Sequence, residues 1–108
     1  MNCPADTLLA DILAACEVAR SRGMHIRSDL TWYTGGYEHP SSINPLGALS
    51  HYLGMSSTQI KIQYSLSKGW VSAFCDGYMN RTPRMNYAPH EKEARAMGEI
   101  VCQRYPPS

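Results

Sequence analysis

The two ends of the chain carry the feature that most limits its fold, because each is a long amphipathic segment with clear start and stop signals. Pro4 suits the first position of a helix, and Gly23 can end that helix in the left-handed conformation. Pro89 opens the second segment, and Pro106-Pro107 ends it. Apolar residues recur at helical spacing in both segments. Because such helices are stable only when their apolar stripes are covered, the sequence predicts two terminal helices that bracket a single core.

Capping signals divide the middle of the chain. Asn44 can cap a helix that has Pro45 at its first position, and Gly54 can stop it after two turns. Ser56 and Gln59 have the spacing of a capping box, in which each residue satisfies a backbone N–H of the other. The sequence therefore predicts a short helix, a turn at Gly54, and the start of another element at Ser56.

The segment that follows Ser56 fits two structures. Strict alternation of Ile60, Ile62 and Tyr64 with polar residues is typical of a strand, whereas the capping box favours a helix. We favour the helix, since a lone strand here has no obvious partner. Ser67 can then cap a further helix that ends at Gly77, and residues 78–88 are predicted to form a basic, turn-rich loop.

Residues 24–43 are the least regular part of the chain. Leu30 and Trp32 alternate with polar neighbours, and Gly35-Gly36 follow. A Gly-Gly pair suits a hairpin turn because glycine tolerates positive φ at both central positions. The segment is predicted to be a small β-hairpin or an ordered loop.

The expected fold is a mainly α, compact bundle of four to five helices with a small β-hairpin or long loop at about 24–43. Residues 1–108 are expected to form one globular domain. The expected core lies on the apolar stripes and comprises Leu8, Leu9, Ile12, Cys16, Leu46, Leu49, Leu53, Trp70, Phe74, Met97 and Val101.

Composition excludes several function classes. The chain is 44% hydrophobic with a net charge of +1, so it has no general attraction to nucleic acid or to an anionic membrane. It has no apolar run of membrane-spanning length and no secretory signal, and we expect a cytoplasmic protein. The histidines and cysteines lack metal-ligand spacing, so neither a metal nor a cofactor is predicted. The cysteines are expected to be free thiols, with Cys16 and Cys102 buried.

Residues 49–60 partly match a helix-turn-helix. The pattern needs apolar residues on the first helix, a small residue, a glycine in the turn and an aliphatic anchor on the second helix, and the matching positions are Leu49, Ser50, Leu53, Gly54, Met55, Ser56 and Ile60. Gln63 departs from the pattern, which has an aliphatic residue one turn after Ile60. Such a motif would present polar side chains to DNA bases and phosphates from Ser57, Thr58, Gln59, Lys61 and Gln63. The alternative is an architectural pair of helices.

A second pattern covers more of the chain. The segments NPLGAL, GWVSAFCDGY and EKEARAMGEIVCQRY lie between Asn44 and Tyr105. They resemble small uncharacterised bacterial and phage proteins, which carry a P-L-G-A-L segment, a W-V-x-x-F-x-x-G-[FY] helix and a final amphipathic helix. The resemblance implies no activity or ligand. It implies core positions at Leu46, Leu49, Trp70, Phe74 and Tyr78.

Aromatic residues in the irregular segment support another hypothesis. Exposed aromatic side chains on a loop can bind a peptide or small molecule, or form a homodimer contact. The candidate residues are Trp32, Tyr33, Tyr37, Glu38 and His39. The alternative is that Trp32 and one tyrosine fill a gap between the terminal helices.

An enzyme is less expected than a binding protein. A Cys75–His39 nucleophile and base can be imagined, but nothing in the sequence brings the two together. No catalytic residue is therefore assigned. The expected function is non-enzymatic binding or regulation, with DNA or a second copy of the chain as the candidate partner.

Overall fold

The computed structural model describes residues 4–27, 33–34, 42–83 and 85–107, and the fold is mainly helical, as predicted. The elements run in the order α1 (Pro4–Ser21), β1 (His25–Ile26), β2 (Tyr33–Thr34), β3 (Ser42–Ile43), α2 (Pro45–Leu53), α3 (Ser57–Gln63), α4 (Lys68–Tyr78) and α5 (Pro89–Arg104). Helix α1 packs against α2, β1 and α5, and α4 packs against α5. None of the described helices is long and apolar enough to span a bilayer.

A small sheet occupies the irregular segment. β2 pairs with β3 antiparallel, so residues within the predicted hairpin region do form a ladder, while β1 joins β3 in parallel. The parallel strand was not predicted, and the predicted turn at Gly35-Gly36 lies outside the described residues. Ile26 and Ile43 are opposite each other in the parallel pair and are both buried. The sheet therefore packs onto the core between the end of α1 and the start of α2.

The predicted core is present in nearly all its members. Leu9 and Leu53 are the exceptions, since both are partly buried and pack against the edge of the core. On α4, the rings of Trp70 and Phe74 stack with centroids 5.5 Å apart and planes 15° from parallel. Tyr78 follows one turn later and is also buried, so residues four apart on this helix form one aromatic stripe.

Helices α4 and α5 approach each other backbone to backbone. A Cβ atom added at Gly77 would overlap the carbonyl oxygen of Arg95, and one added at Gly98 would overlap the carbonyl oxygen of Phe74. The prediction that Gly77 ends its helix was wrong. The helix continues to Tyr78, and Gly77 is buried inside it because the neighbouring helix leaves no room for a side chain.

Four helices end in the same way. In each, the residue in the left-handed conformation donates to the carbonyl three residues before it, and the next residue donates to the carbonyl five residues before itself, which is the Schellman arrangement. The left-handed residues are Gly23 (φ +81°), Gly54 (φ +67°), Ser65 (φ +56°) and Asn80 (φ +55°). The two glycines were predicted to act in this way. Ser65 and Asn80 were not, because serine is uncommon at this position and Asn80 was assigned to the predicted loop 78–88.

The far end of α5 is attached to α1. Tyr105, which follows α5, donates from its hydroxyl to Glu17 at 2.6 Å. The guanidinium of Arg20 lies over the Tyr105 ring, 5.1 Å from its centroid. The Tyr78 hydroxyl donates to the Tyr105 carbonyl oxygen at 2.8 Å. Tyr105 thus connects the first, fourth and fifth helices.

Replacing either interhelical glycine by alanine is expected to lower the free energy of unfolding by about 2–4 kcal/mol, since the overlapping atoms are backbone and the helices must separate. Gly69→Ala is the matched control in α4, because its Cβ would meet only the end of the flexible Glu91 side chain. Urea denaturation of Gly77→Ala, Gly98→Ala and Gly69→Ala measures the difference. Equal effects at the three positions would contradict the close backbone approach.

Ser65→Gly is expected to raise the free energy of unfolding by about 0.5–1 kcal/mol, because glycine adopts positive φ without the steric cost that serine has. Gly54→Ala should change stability by a similar amount in the opposite direction, since a Cβ there meets no neighbouring atom and only the backbone is strained. Thermal unfolding followed by circular dichroism would test both. Destabilisation by Ser65→Gly would show that its side chain has another role.

Candidate functional site

Helices α2 and α3 with the turn between them form the candidate site. Asn44 caps α2 by accepting the Gly47 N–H at 2.6 Å, and Gly54 ends the helix. The hydroxyl of the fully buried Ser50 donates to the Met55 carbonyl oxygen, and the Met55 N–H donates to the Ser50 carbonyl oxygen at 3.0 Å. A small residue at position 50 therefore closes the turn through two hydrogen bonds and fixes where the chain enters α3.

The segment after the turn is a helix, as favoured from the sequence. Ser56 Oγ accepts the Gln59 N–H at 3.2 Å, and Gln59 Oε1 accepts the Ser56 N–H at 2.8 Å. Both bonds of the predicted capping box are thus formed. They satisfy N-terminal backbone donors that a strand would direct elsewhere, which explains why the alternation of Ile60, Ile62 and Tyr64 does not produce a strand.

Three residues hold α3 against the rest of the protein. Ile60 is fully buried, and Leu66, just after the helix, is nearly so. The Tyr64 hydroxyl donates to Asp11 Oδ2 on α1 at 2.7 Å. Gln63 lies where an aliphatic anchor was expected, but it is exposed. Tyr64 and Leu66 therefore supply the attachment that the helix-turn-helix pattern assigns to that position.

The outward side of α3 is polar with one apolar residue. Ile60 faces the core, so Ile62, about 200° further around the helix, faces solvent and is 73% exposed. Thr58, one turn before Ile62, is on the same face and is also exposed. Among the predicted DNA-contacting residues, Ser57 is half-buried, whereas Thr58, Gln59, Lys61 and Gln63 are exposed.

The two glutamines differ in what they can still bind. The side-chain oxygen of Gln59 already accepts a backbone N–H in the capping box, which uses one of its two lone pairs. A bidentate contact with adenine would need that oxygen to accept a second hydrogen bond beside the capping bond. Among the residues that the structure describes, none forms a capping bond of this kind with the Gln63 side chain, which is exposed at the end of α3. The Gln59 NH₂ group, which the capping box does not use, can donate to an acceptor on a ligand.

The positive charge near this site is smaller than the sequence suggested. Lys61 and Lys68 are exposed, and the sequence from Pro40 to Cys75 contains no acidic residue. Arg81 instead pairs with the buried Asp76 at 3.2 Å, and Arg84 lies outside the described residues. The two lysines are therefore the Lys or Arg residues of the described segment 42–75, which contains α2 and α3.

A buried polar network that sequence reasoning missed joins the end of α4 to the loop that follows it and to α5. Asp76 accepts hydrogen bonds from the Tyr87 hydroxyl at 2.9 Å and from Arg81. Arg95 on α5 donates to the Tyr87 hydroxyl at 3.4 Å and to the Arg81 carbonyl oxygen, and it pairs with Glu99 at 3.1 Å. These bonds fasten the loop after α4 to both helices. No sequence signal distinguishes Asp76 from an exposed acid, because its partners Arg81 and Tyr87 lie in an irregular loop, where no fixed spacing identifies a contact.

The aromatic hypothesis falls largely outside the described residues. Trp32, Tyr37, Glu38 and His39 are not described, and Tyr33 is placed only by its backbone pairing with Ile43 in the sheet. A ligand or dimer contact through these residues stays a prediction.

The described residues give little support for a nucleophilic cysteine or for a metal site. Burial raises the pKa of Cys16 to about 12 and also raises the pKa of Cys75, which is the opposite of what a nucleophilic thiol needs. Cys16 and Cys75 are buried free thiols and Cys102 is half-buried; burial had been expected for Cys16 and Cys102. Within the described ranges, no three His, Cys, Asp or Glu side chains come together as metal ligands. His39, the proposed partner of Cys75, lies outside those ranges.

Comparison with models of known protein families found no match, and searches of curated proteins and of solved structures found none either. The resemblance to bacterial and phage proteins is therefore still a prediction. The five core positions that it implies are all buried.

Tyr64→Phe is expected to reduce the loss of stability at high pH. Burial, the hydrogen bond to Asp11 and the Asp11 charge raise the pKa of Tyr64 from 10.0 to about 12. Because the folded state favours the neutral phenol, this stabilisation is complete below pH 10 and disappears as the pH rises to about 12.

Urea denaturation at a series of pH values in that range measures this difference. The free energy of unfolding of the wild type should fall more steeply than that of Tyr64→Phe. Tyr52→Phe, which changes an exposed tyrosine of α2, is the control and should follow the wild type. Parallel curves for wild type and Tyr64→Phe would contradict the contact between α3 and α1.

Proposed function

We propose that the protein is a non-enzymatic binding protein that contacts duplex DNA through α3. The observation that carries the proposal is the arrangement of α2 and α3. A three-residue turn closed by Ser50 and Gly54 joins the two helices, and Ile60 seats the second one so that its polar side faces solvent. A helix placed in this way can enter the major groove, which is about 12 Å wide.

The chemistry of the exposed side supports the same partner. Thr58, Gln59 and Gln63 offer hydrogen-bonding groups suited to base edges, and Lys61 suits a phosphate. The absence of carboxylates in the sequence from Pro40 to Cys75 leaves no acidic side chain of α2 or α3 to repel the DNA backbone. Residues that face outward here contribute little to the core, so their identity is not fixed by packing.

The small number of cations limits the affinity that we expect for duplex DNA. A protein that neutralises only about two phosphates gains little from counterion release. We therefore expect binding in the micromolar range, with a slope of about −2 in a plot of log affinity against log salt concentration. Fluorescence anisotropy with mixed-sequence duplex DNA at several salt concentrations measures both quantities.

Lys61→Gln is expected to weaken binding to all duplexes alike and to reduce the magnitude of the salt slope by about one, because one phosphate contact is lost. Lys92→Gln is the matched control, since Lys92 is an exposed lysine on α5 and the substitution changes the net charge equally. The control should retain the wild-type slope. Binding that is independent of salt, or equal losses in the two variants, would overturn the proposal.

A further inference from the structure

Ile62 is the feature of α3 that neither folding nor phosphate binding explains. Its side chain is 73% exposed, whereas Ile60 two residues earlier is fully buried. An isoleucine at this position gains nothing from the core, and its branched side chain is not favoured in a helix. Any partner of the outward side of α3 meets Ile62 directly.

The neighbours of Ile62 define an apolar spot with a polar rim. Thr58 adds a methyl group one turn earlier on the same face. Lys61 and Gln59 lie to either side of that face, and the capping box uses the Gln59 oxygen but not its NH₂ donor. A ligand matched to this surface therefore carries a methyl group beside a hydrogen-bond acceptor.

We propose that α3 recognises A·T base pairs in the major groove, with Ile62 in contact with the C5-methyl group of thymine. This inference rests on the proposed function. Thymine presents that methyl group and the O4 acceptor side by side in the major groove, and adenine adds N7 as a further acceptor. Cytosine presents an amino donor in place of O4 and has no methyl group. The Gln59 amide then donates to O4 or N7 while Ile62 covers the methyl group.

Replacing thymine by deoxyuridine isolates the methyl contact, because the two bases differ only by that group. Anisotropy titrations compare A·T-rich duplexes that contain either base, using the full chain at low salt. The wild type is expected to bind the deoxyuridine duplex about fourfold more weakly, the factor for one buried methyl-sized group.

Ile62→Ser should bind the two duplexes equally, since the side chain that senses the methyl group is gone. The substitution is on the surface, so the variant is expected to fold. Ile100→Ser is the control: it removes another exposed isoleucine, on α5, and should keep the wild-type ratio.

The outcomes separate this inference from the proposed function. Salt-dependent binding with no preference between thymine and deoxyuridine would overturn the inference and leave DNA binding in place. A preference that persists in Ile62→Ser would overturn the role of Ile62. No salt-dependent binding to any duplex would overturn both proposals.

Discussion

The contact between the backbones of α4 and α5 is the constraint on which the rest of the structure depends. Gly77 and Gly98 allow each helix to reach the carbonyl oxygens of the other, so the two helices come closer than side chains would permit. This approach brings Arg95 within reach of Tyr87 and places Tyr78 under the end of α5. The polar network around Asp76 and the attachment of α5 to α1 are both built on this helix pair.

Stability and the proposed binding surface are located in different parts of the molecule. The α4–α5 pair and the loop between them use their polar groups internally, and in the described residues no buried side-chain polar atom lacks a partner. α3 is attached through Ile60, Tyr64 and the adjoining Leu66, while the side chains of Thr58 and Ile62 are exposed. Substitutions on the outward side of α3 can therefore alter recognition without unfolding the protein.

The helix boundaries could be predicted from the sequence because their signals are local. Asn44 and Ser67 bond to backbone groups three residues away, so residue type and spacing are enough to identify them. The role of Gly77 was predicted wrongly because a glycine can either end a helix or allow a second helix to pack closely. Only the position of α5 shows that Gly77 does the latter. The parallel pairing of β1 with β3 depends on segments far apart in the chain, and the burial of Asp76 depends on the path of an irregular loop. Single-sequence patterns reveal neither. For the candidate site, the turn and the capping box with Gln59 were predictable, whereas the exposure of Ile62 needed the structure, because the alternation of Ile60, Ile62 and Tyr64 also fitted a strand.

The attachment of Tyr105 to Glu17 has a consequence for how the chain folds. The Schellman turns form between residues five or fewer apart, so they require almost no loop closure and can appear while the chain is still largely open. The Tyr105–Glu17 bond joins residues 88 positions apart. Bringing these two residues together costs chain entropy, and this cost becomes small only after the intervening helices have assembled. We therefore expect the first and last helices to meet late. The order of assembly then runs from the turns outward to the two ends of the chain.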